Sequence, residues 1–203
     1  MLKNTRMKNR IIWYDFETNG LNPYHNQIIE IFAIDNDENT FHRLIKTPQP
    51  LDPRITELTK ITDTMLLGHG VDVADAIRDF RDFLMRGGEK RYSHTFLVAH
   101  NGDSFDRLFL KTATNKAGCP LPPASFQYID TLHLARMVAP QLYNHRLSTI
   151  ANYFGIKVEG DFHRAESDVR VLRSVYSYLT TRFLNEGKNE TEVVVDVFNA
   201  IYF

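Results

Sequence analysis

Three short segments carry residues whose types and spacing could do chemistry. In Asp15-Phe16-Glu17 two carboxylates lie two residues apart at the end of the apolar run Ile11–Phe16. Side chains alternate along a strand, so both acids face the same way. Like charges held together at a strand end repel and lose hydration, and a hard divalent cation relieves both costs. A solvated strand end is the ordinary reading of such a pair, and by itself the pair decides nothing.

The second segment is His100-Asn101-Gly102-Asp103-Ser104-Phe105-Asp106. An apolar strand over Phe96–Ala99 ends there, the glycine permits a tight turn, and a helix follows over about Ser104–Ala117. Asp103 or Ser104 is expected to cap that helix. Asp106 falls in its first turn, where the helix dipole favours an anion. The third segment, His163-Arg164-Ala165-Glu166-Ser167-Asp168, opens a helix whose apolar stripe runs Ala165, Val169, Leu172, Tyr176, Leu179, Phe183. Helical spacing puts Asp168 on the inward edge of that stripe and Glu166 outward with Arg170 and Arg173. An inward carboxylate calls for a partner or a metal. Asp15, Glu17, Asp106, His163 and Asp168 together could hold two metal ions, Mg²⁺ or Mn²⁺.

The elements that must position these groups form an α/β pattern. Strands are expected at Ile11–Phe16, Gln27–Asp35, Thr40–Ile45, Phe96–Ala99 and Phe126–Asp130, the first three as a meander. One-turn helices fit Leu51–Leu67, and an amphipathic helix fits Val73–Arg86, ended by Gly87-Gly88. Further helices fit Leu132–Val138, Leu147–Phe154 and the stripe from Ala165. The order implies an antiparallel start with parallel additions. Residues 1–203 are expected to form one domain with a core at about 11–184. Residues 185–203 form an appendage, with a candidate hinge at Asn185–Glu192 and a tail that fits helix or strand.

The bulk numbers are those of an ordinary globular chain: 203 residues, 43% hydrophobic, 24% charged. A formal net charge of −1 excludes a global positive field, so attraction to nucleic acid would be local or carried by metal. The single cysteine, Cys119, excludes an internal disulfide framework and a Cys-rich zinc site. The basic start Met1–Arg10 leads into no signal core, and no apolar run approaches the ~20 residues needed to span a bilayer. A soluble, intracellular protein without a membrane partner is expected.

Taken in order, the three segments resemble the three exonuclease motifs of the DEDDh superfamily, across residues 11–180. The histidine five residues before the last aspartate resembles the DEDDh branch and not its tyrosine relatives. The longer second motif, Val98–Asp106, together with Ile55–Thr62, is most similar to the three-prime repair exonucleases. Lys60 departs from a usual glycine there, and Asn19 from a common threonine. Ser104 and Phe105 stand where arginine and tyrosine are frequent.

The resemblance implies a ribonuclease-H-like mixed five-stranded sheet flanked by helices. It also implies 3′→5′ hydrolysis of terminal phosphodiesters, releasing nucleoside monophosphates from single-stranded DNA or frayed 3′ ends. Asp15, Glu17, Asp106 and Asp168 would hold the metals, and His163 would act as general base. Thr18, Leu21, Leu58, Ile61, Asn101 and Phe105 would meet the terminal nucleotide, although Leu58, Ile61 and Phe105 fit core positions equally well. Arg164, Arg170, Lys111 and Lys116 are candidate backbone contacts. The readings to be weighed against a free-standing deoxyribonuclease are an exoribonuclease and a proofreading or non-catalytic subunit of a polymerase complex. The edge strand Thr40–Ile45 would allow a homodimer, although His42, Arg43 and Lys46 place charge along it.

Overall fold

The structure is a computed structural model that describes residues 8–86, 92–158, 162–184 and 190–202. The strands are β1 (Lys8–Thr18), β2 (Ile28–Asp35), β3 (Thr40–Leu44), β4 (Tyr92–Ala99) and β5 (Gln127–Asp130). The helices are α1 (Pro53–Thr59), α2 (Asp63–His69), α3 (Val73–Met85), α4 (Asp106–Lys116), α5 (Thr131–Val138), α6 (Leu147–Tyr153), α7 (Ala165–Leu184) and α8 (Glu190–Tyr202). The sheet order is β3-β2-β1-β4-β5. β1 runs antiparallel to β2, and β2 to β3, while β4 and β5 add in parallel. The mixed sheet expected from the sequence is therefore present, with β3 at its edge.

Alternation along β1 divides the interior in two. Ile12, Tyr14 and Phe16 pack with Ile77, Phe80, Phe83 and Phe109, from α3 and α4. Ile11 and Trp13 face the opposite way, against Val169, Leu172, Val175 and Tyr176 of α7 and Val194 and Val197 of α8. Burying each such large apolar side chain contributes roughly 1.5–3 kcal/mol. Asp15 and Glu17 share the parity of Ile11 and Trp13, so they point to the α7 side. The register of β1 with β2 shifts between Glu17 and Thr18, a bulge at the end that carries the acids.

Local signals explain most boundaries. Asp52, Thr62, Asp72 and Asp130 accept backbone N–H bonds at the starts of α1, α2, α3 and α5, and Pro53 opens α1. The helix α3 ends at Met85, and the Gly87-Gly88 stop lies outside the described residues. The proposed hinge is likewise outside them at residues 185–189. The tail resolves as helix, and its Val194 and Val197 are fully buried. Arg10, which reads as part of a basic start, is buried at the head of β1. It binds Asp35 and the carbonyls of Phe83, Leu84 and Arg86 at the end of α3. Among the described residues no helix is long and apolar enough to cross a membrane.

Candidate active site

Three chain segments meet at the carboxyl end of β1. The first is β1 itself, where Asp15 pairs in register with Phe32 and Glu17 with Glu30. The second is the turn after β4, which delivers Asp106 at the start of α4. Gly102 is required there because a Cβ would lie 2.6 Å from the Ala99 side chain. The left-handed residue of the turn is Asn101, at φ 60. Neither Asp103 nor Ser104 caps α4, contrary to expectation: Phe105 occupies the cap position without a side-chain bond. Asp103 is engaged elsewhere, by Arg107 and by the hydroxyl of Tyr202 on α8. The Asp130 carboxylate fixes the turn by accepting from the backbone N–H groups of Asn101 and Asp103.

The third segment enters α7. His163 sits at φ 65, and its backbone N–H donates to Asp168 Oδ2 at 2.9 Å. The carboxylate thus holds the histidine's backbone from five residues away. One donor atom each of Glu17, His163 and Asp168 lie within 4.8 Å of one another. Next to them, Glu30 is fully buried. It accepts from the Arg164 guanidinium and from Ala165 N, and it lies 2.9 Å from His42 Nε2.

The electrostatics are those of crowded acids. Burial and the nearby Asp106, Glu17 and Asp168 carboxylates hold Asp15 well above the usual carboxylate range. Burial, with Asp168, Glu30 and Asp106 close by, pushes Glu17 up to about 8. Burial raises Asp106 to about 7 against backbone hydrogen bonds from its own N–H and that of Phe16. Asp168 rises to about 6, again chiefly by burial. Glu30 goes the other way: burial pushes it up, but hydrogen bonds from His42, Arg164 and Ala165 N bring it to about 2. The buried Oδ1 atoms of Asp106 and Asp168 have no hydrogen-bond partner. Clustered oxygen donors, destabilised as anions and in part unpartnered, fit a hard divalent cation.

A cavity of about 520 Å³ opens beside these groups, and Asp15, Asn101, His163 and Asp168 line it. His100, His145, Arg146 and Ser148 line it too. Burial lowers the His100 pKa, favouring a neutral ring. Its Nε2–H donates to the His145 carbonyl at 2.8 Å, and its Nδ1 lies 2.9 Å from the Thr131 hydroxyl.

The five expected catalytic positions therefore converge, and the expected substrate contacts divide. Leu21 and Leu58 are exposed, at 84% and 49%, and Thr18 is buried with its hydroxyl on the Gly20 carbonyl. Asn101 lines the cavity, and Phe105 packs on Phe109 with ring centroids 4.8 Å apart. Ile61 is a correction. It is fully buried with Ile29, Leu51 and Leu66, which makes it a core residue of the α1–α2 segment, the alternative that its sequence position allowed. Arg164 and Arg170 are committed to Glu30 and Glu166, and Lys116 to the Tyr24 carbonyl. Sequence reasoning missed Glu30, Asp130 and Arg146. For Glu30 a signal existed, a lone acid within the apolar run Ile28–Ile34.

This sheet order, with carboxylates from β1, α4 and α7 beside a histidine, defines a ribonuclease-H-like nuclease fold of the DEDDh superfamily. The family model RNase_T, described as exonuclease, matches residues 12–176, and the chain belongs to that family. Its relatives include the PolC-type DNA polymerase III of Mycoplasma genitalium, 32% identical over 92% of this chain and 12% of that one. The PolC-type enzyme of Halalkalibacterium halodurans is 38% identical over 80% of this chain and 11% of its own length. The chain thus spans a small fraction of these relatives. It spans 80% of the DNA polymerase III subunit epsilon of Treponema pallidum, which is 33% identical over 89% of this chain. Among solved structures, E. coli exonuclease I with a dT13 oligonucleotide superimposes with TM-score 0.72 at 16% identity, over 86% of this chain and 42% of that one. The zinc-bound E. coli exonuclease I–single-stranded DNA complex gives 0.76 at 16%, over 95% and 43%. At that identity these likenesses concern the fold.

Proposed function

We infer that the chain is a metal-dependent 3′→5′ exonuclease that removes nucleoside 5′-monophosphates from single-stranded DNA or frayed 3′ ends. The observation that carries this reading is the clustering of Asp15, Glu17, Asp106, His163 and Asp168 from three distant segments, with Asp15, His163 and Asp168 lining one cavity. Asp15, Glu17, Asp106 and Asp168 would hold two divalent cations, Mg²⁺ or Mn²⁺. When bound, the cations would supply Lewis acidity for the attacking water and for charge on the phosphate. His163 would accept the proton from a water attacking phosphorus in line. The P–O3′ bond breaks, the strand departs with a free 3′-hydroxyl, and the terminal nucleotide leaves as its 5′-phosphate. Thr18, Leu21, Leu58, Asn101 and Phe105 would receive that nucleotide. The exposure of Leu21 and Leu58 supports this role, since neither is needed by the core.

A second reading, a proofreading component of a polymerase assembly, is favoured by the relatives being DNA polymerase III chains. It uses the same site and differs in what the chain works beside.

Matched 5′-labelled single-stranded DNA and RNA, with Mg²⁺, Mn²⁺ or EDTA, test the first reading beside Asp15→Ala. A metal-dependent ladder shortening from the 3′ end and absent in the variant is expected, stronger on DNA. A stronger RNA ladder would reassign the substrate. The absence of a ladder on either strand would overturn the free-standing enzyme, and co-purification with a polymerase would then support the second reading.

A further inference from the structure

Residues 145–148 line the same cavity as Asp15, His163 and Asp168, and hydrogen bonds fix their start. His145 Nε2 lies 2.9 Å from the Ala139 carbonyl. The His145 carbonyl accepts from His100 Nε2 at 2.8 Å, and Arg146 N donates to Asn144 Oδ1 at 3.0 Å. The residue is held, yet its side chain is not. Arg146 is exposed, and among the described residues its guanidinium meets no acceptor. Arg164, Arg170 and Arg173, by contrast, are each paired with a carboxylate. Arg146 is also the one lysine or arginine lining this cavity among the described residues.

A cation with no acceptor among the described residues thus shares a cavity of about 520 Å³ with Asp15 and Asp168 and forms no ion pair with either. The group that would satisfy both is an anion carrying several oxygens, held by the guanidinium fork and by cation-loaded carboxylates. A phosphodiester fits, since its two non-bridging oxygens match the parallel N–H donors of arginine. A free strand carries such groups in series, so one can sit at the acids while its neighbour reaches Arg146.

We propose that Arg146 is a backbone-phosphate anchor, binding the non-bridging oxygens of a phosphodiester beside the one held over the carboxylates. The inference rests on the nuclease reading above and adds a contact to it. The contact acts on binding and register and takes no part in bond cleavage.

The test uses wild type, Arg146→Ala and Arg146→Lys with a 5′-fluorescein oligothymidylate of about eight nucleotides, within the usual single-strand site range. Binding is read by anisotropy with Ca²⁺ across a salt series, and turnover is read separately with Mg²⁺. Arg146→Ala is expected to weaken binding about tenfold and raise KM similarly, with kcat within about twofold. The salt slope should drop by about 0.7, one phosphate contact on a single strand. Arg146→Lys should recover part of the loss, keeping the charge without the fork.

Neutral methylphosphonates placed at one linkage at a time then locate the contact. One position should cost wild type about tenfold and cost Arg146→Ala nothing. Equal affinity and salt slope in wild type and Arg146→Ala would overturn the proposal, as would equal methylphosphonate losses in both. Cleavage by wild type with no Arg146 effect sinks the anchor alone. Binding without cleavage sinks the exonuclease reading and leaves the anchor to the anisotropy result. No binding by wild type overturns both.

Discussion

Glu30 accepts from Arg164 through Nε at 3.2 Å and Nη2 at 3.0 Å, which ties β2 to the residue that follows His163. The same carboxylate accepts from Ala165 N, the first residue of α7. A fully buried acid is thereby converted from a liability into the clamp that sets where His163 and Asp168 stand. Glu30 is buried but the Arg164 side chain is 32% exposed, so removing the acid falls at the low end of the about 3–5 kcal/mol for breaking a buried pair.

Glu30→Gln keeps the volume and removes the charge. It is expected to destabilise the fold by about 3 kcal/mol and to lower kcat about tenfold in protein still folded by circular dichroism. Oligonucleotide affinity should stay within about twofold. The acid limb carries a second signature. Glu30 titrates near 2, below its ordinary 4.5, so its contribution is present above about pH 4.5 and lost as pH falls toward 2. Wild type should lose stability across that window and Glu30→Gln much less. Equal acid profiles in urea melts would refute the clamp.

The four site acids bend the pH dependence the opposite way. Glu17 at about 8, Asp106 at about 7 and Asp168 at about 6 all lie above their ordinary values. Folding then favours the protonated forms, so their contribution is greatest below about pH 4 and is lost as pH rises through 6, 7 and 8. In EDTA the melting temperature should fall from pH 5 to 8.5. Mg²⁺ or Mn²⁺ should raise it more at pH 8 than at pH 5, because metal binding needs the anions. Glu17→Gln should melt higher than wild type in EDTA at pH 8 and show a much smaller response to metal. A flat EDTA profile in scanning calorimetry would contradict this account.

A buried ion pair far from the chemistry supplies the contrast. Arg10 and Asp35 are 2% and 1% exposed, joined at 2.8 and 3.1 Å, and Arg10 also closes the end of α3. Arg10→Ala is expected to cost as much stability as Glu30→Gln, about 3–5 kcal/mol. At a temperature where it remains folded, its kcat should match wild type. A tenfold kcat loss in Arg10→Ala would mean that general destabilisation also explains the Glu30 effect.

These two pairs mark where the sequence was legible. Strand parity aimed Asp15 and Glu17, helical spacing aimed Asp168, and the strand order brought them together, because each rests on a period a sequence displays. The partners of Arg10 and Glu30 lie 12 to 135 residues away, and no local pattern names them. Glu30 could still have been flagged as a charge in an apolar strand that must be paired. Arg146 lies between elements, where no periodicity speaks. The tail was undecided because Val193, Val194 and Val195 suit a strand as well as a helix until Val194 and Val197 are seen packed on β1 and α7. Ile61 read either way since an apolar residue beside a ligand and one beneath it look the same in sequence.

Lys60 stands where the similar exonucleases usually have glycine, and its geometry explains that preference. It closes α1 in the left-handed region, at φ 60 and ψ 9, with its N–H on the Thr56 carbonyl. A residue with a Cβ is strained there by roughly 1–2 kcal/mol, while glycine is not but loses more backbone freedom on folding. The lysine ammonium offsets little, since its bond to the Glu57 carbonyl is exposed. Lys60→Gly is therefore expected to stabilise the chain by about 0.5–1 kcal/mol in urea denaturation, with no change in the m-value. The gain would come from the turn carrying Leu58, so nucleotide affinity should hold or improve. A loss of stability would mean that the ammonium contact outweighs the backbone strain, and that the lysine is kept for what its side chain holds.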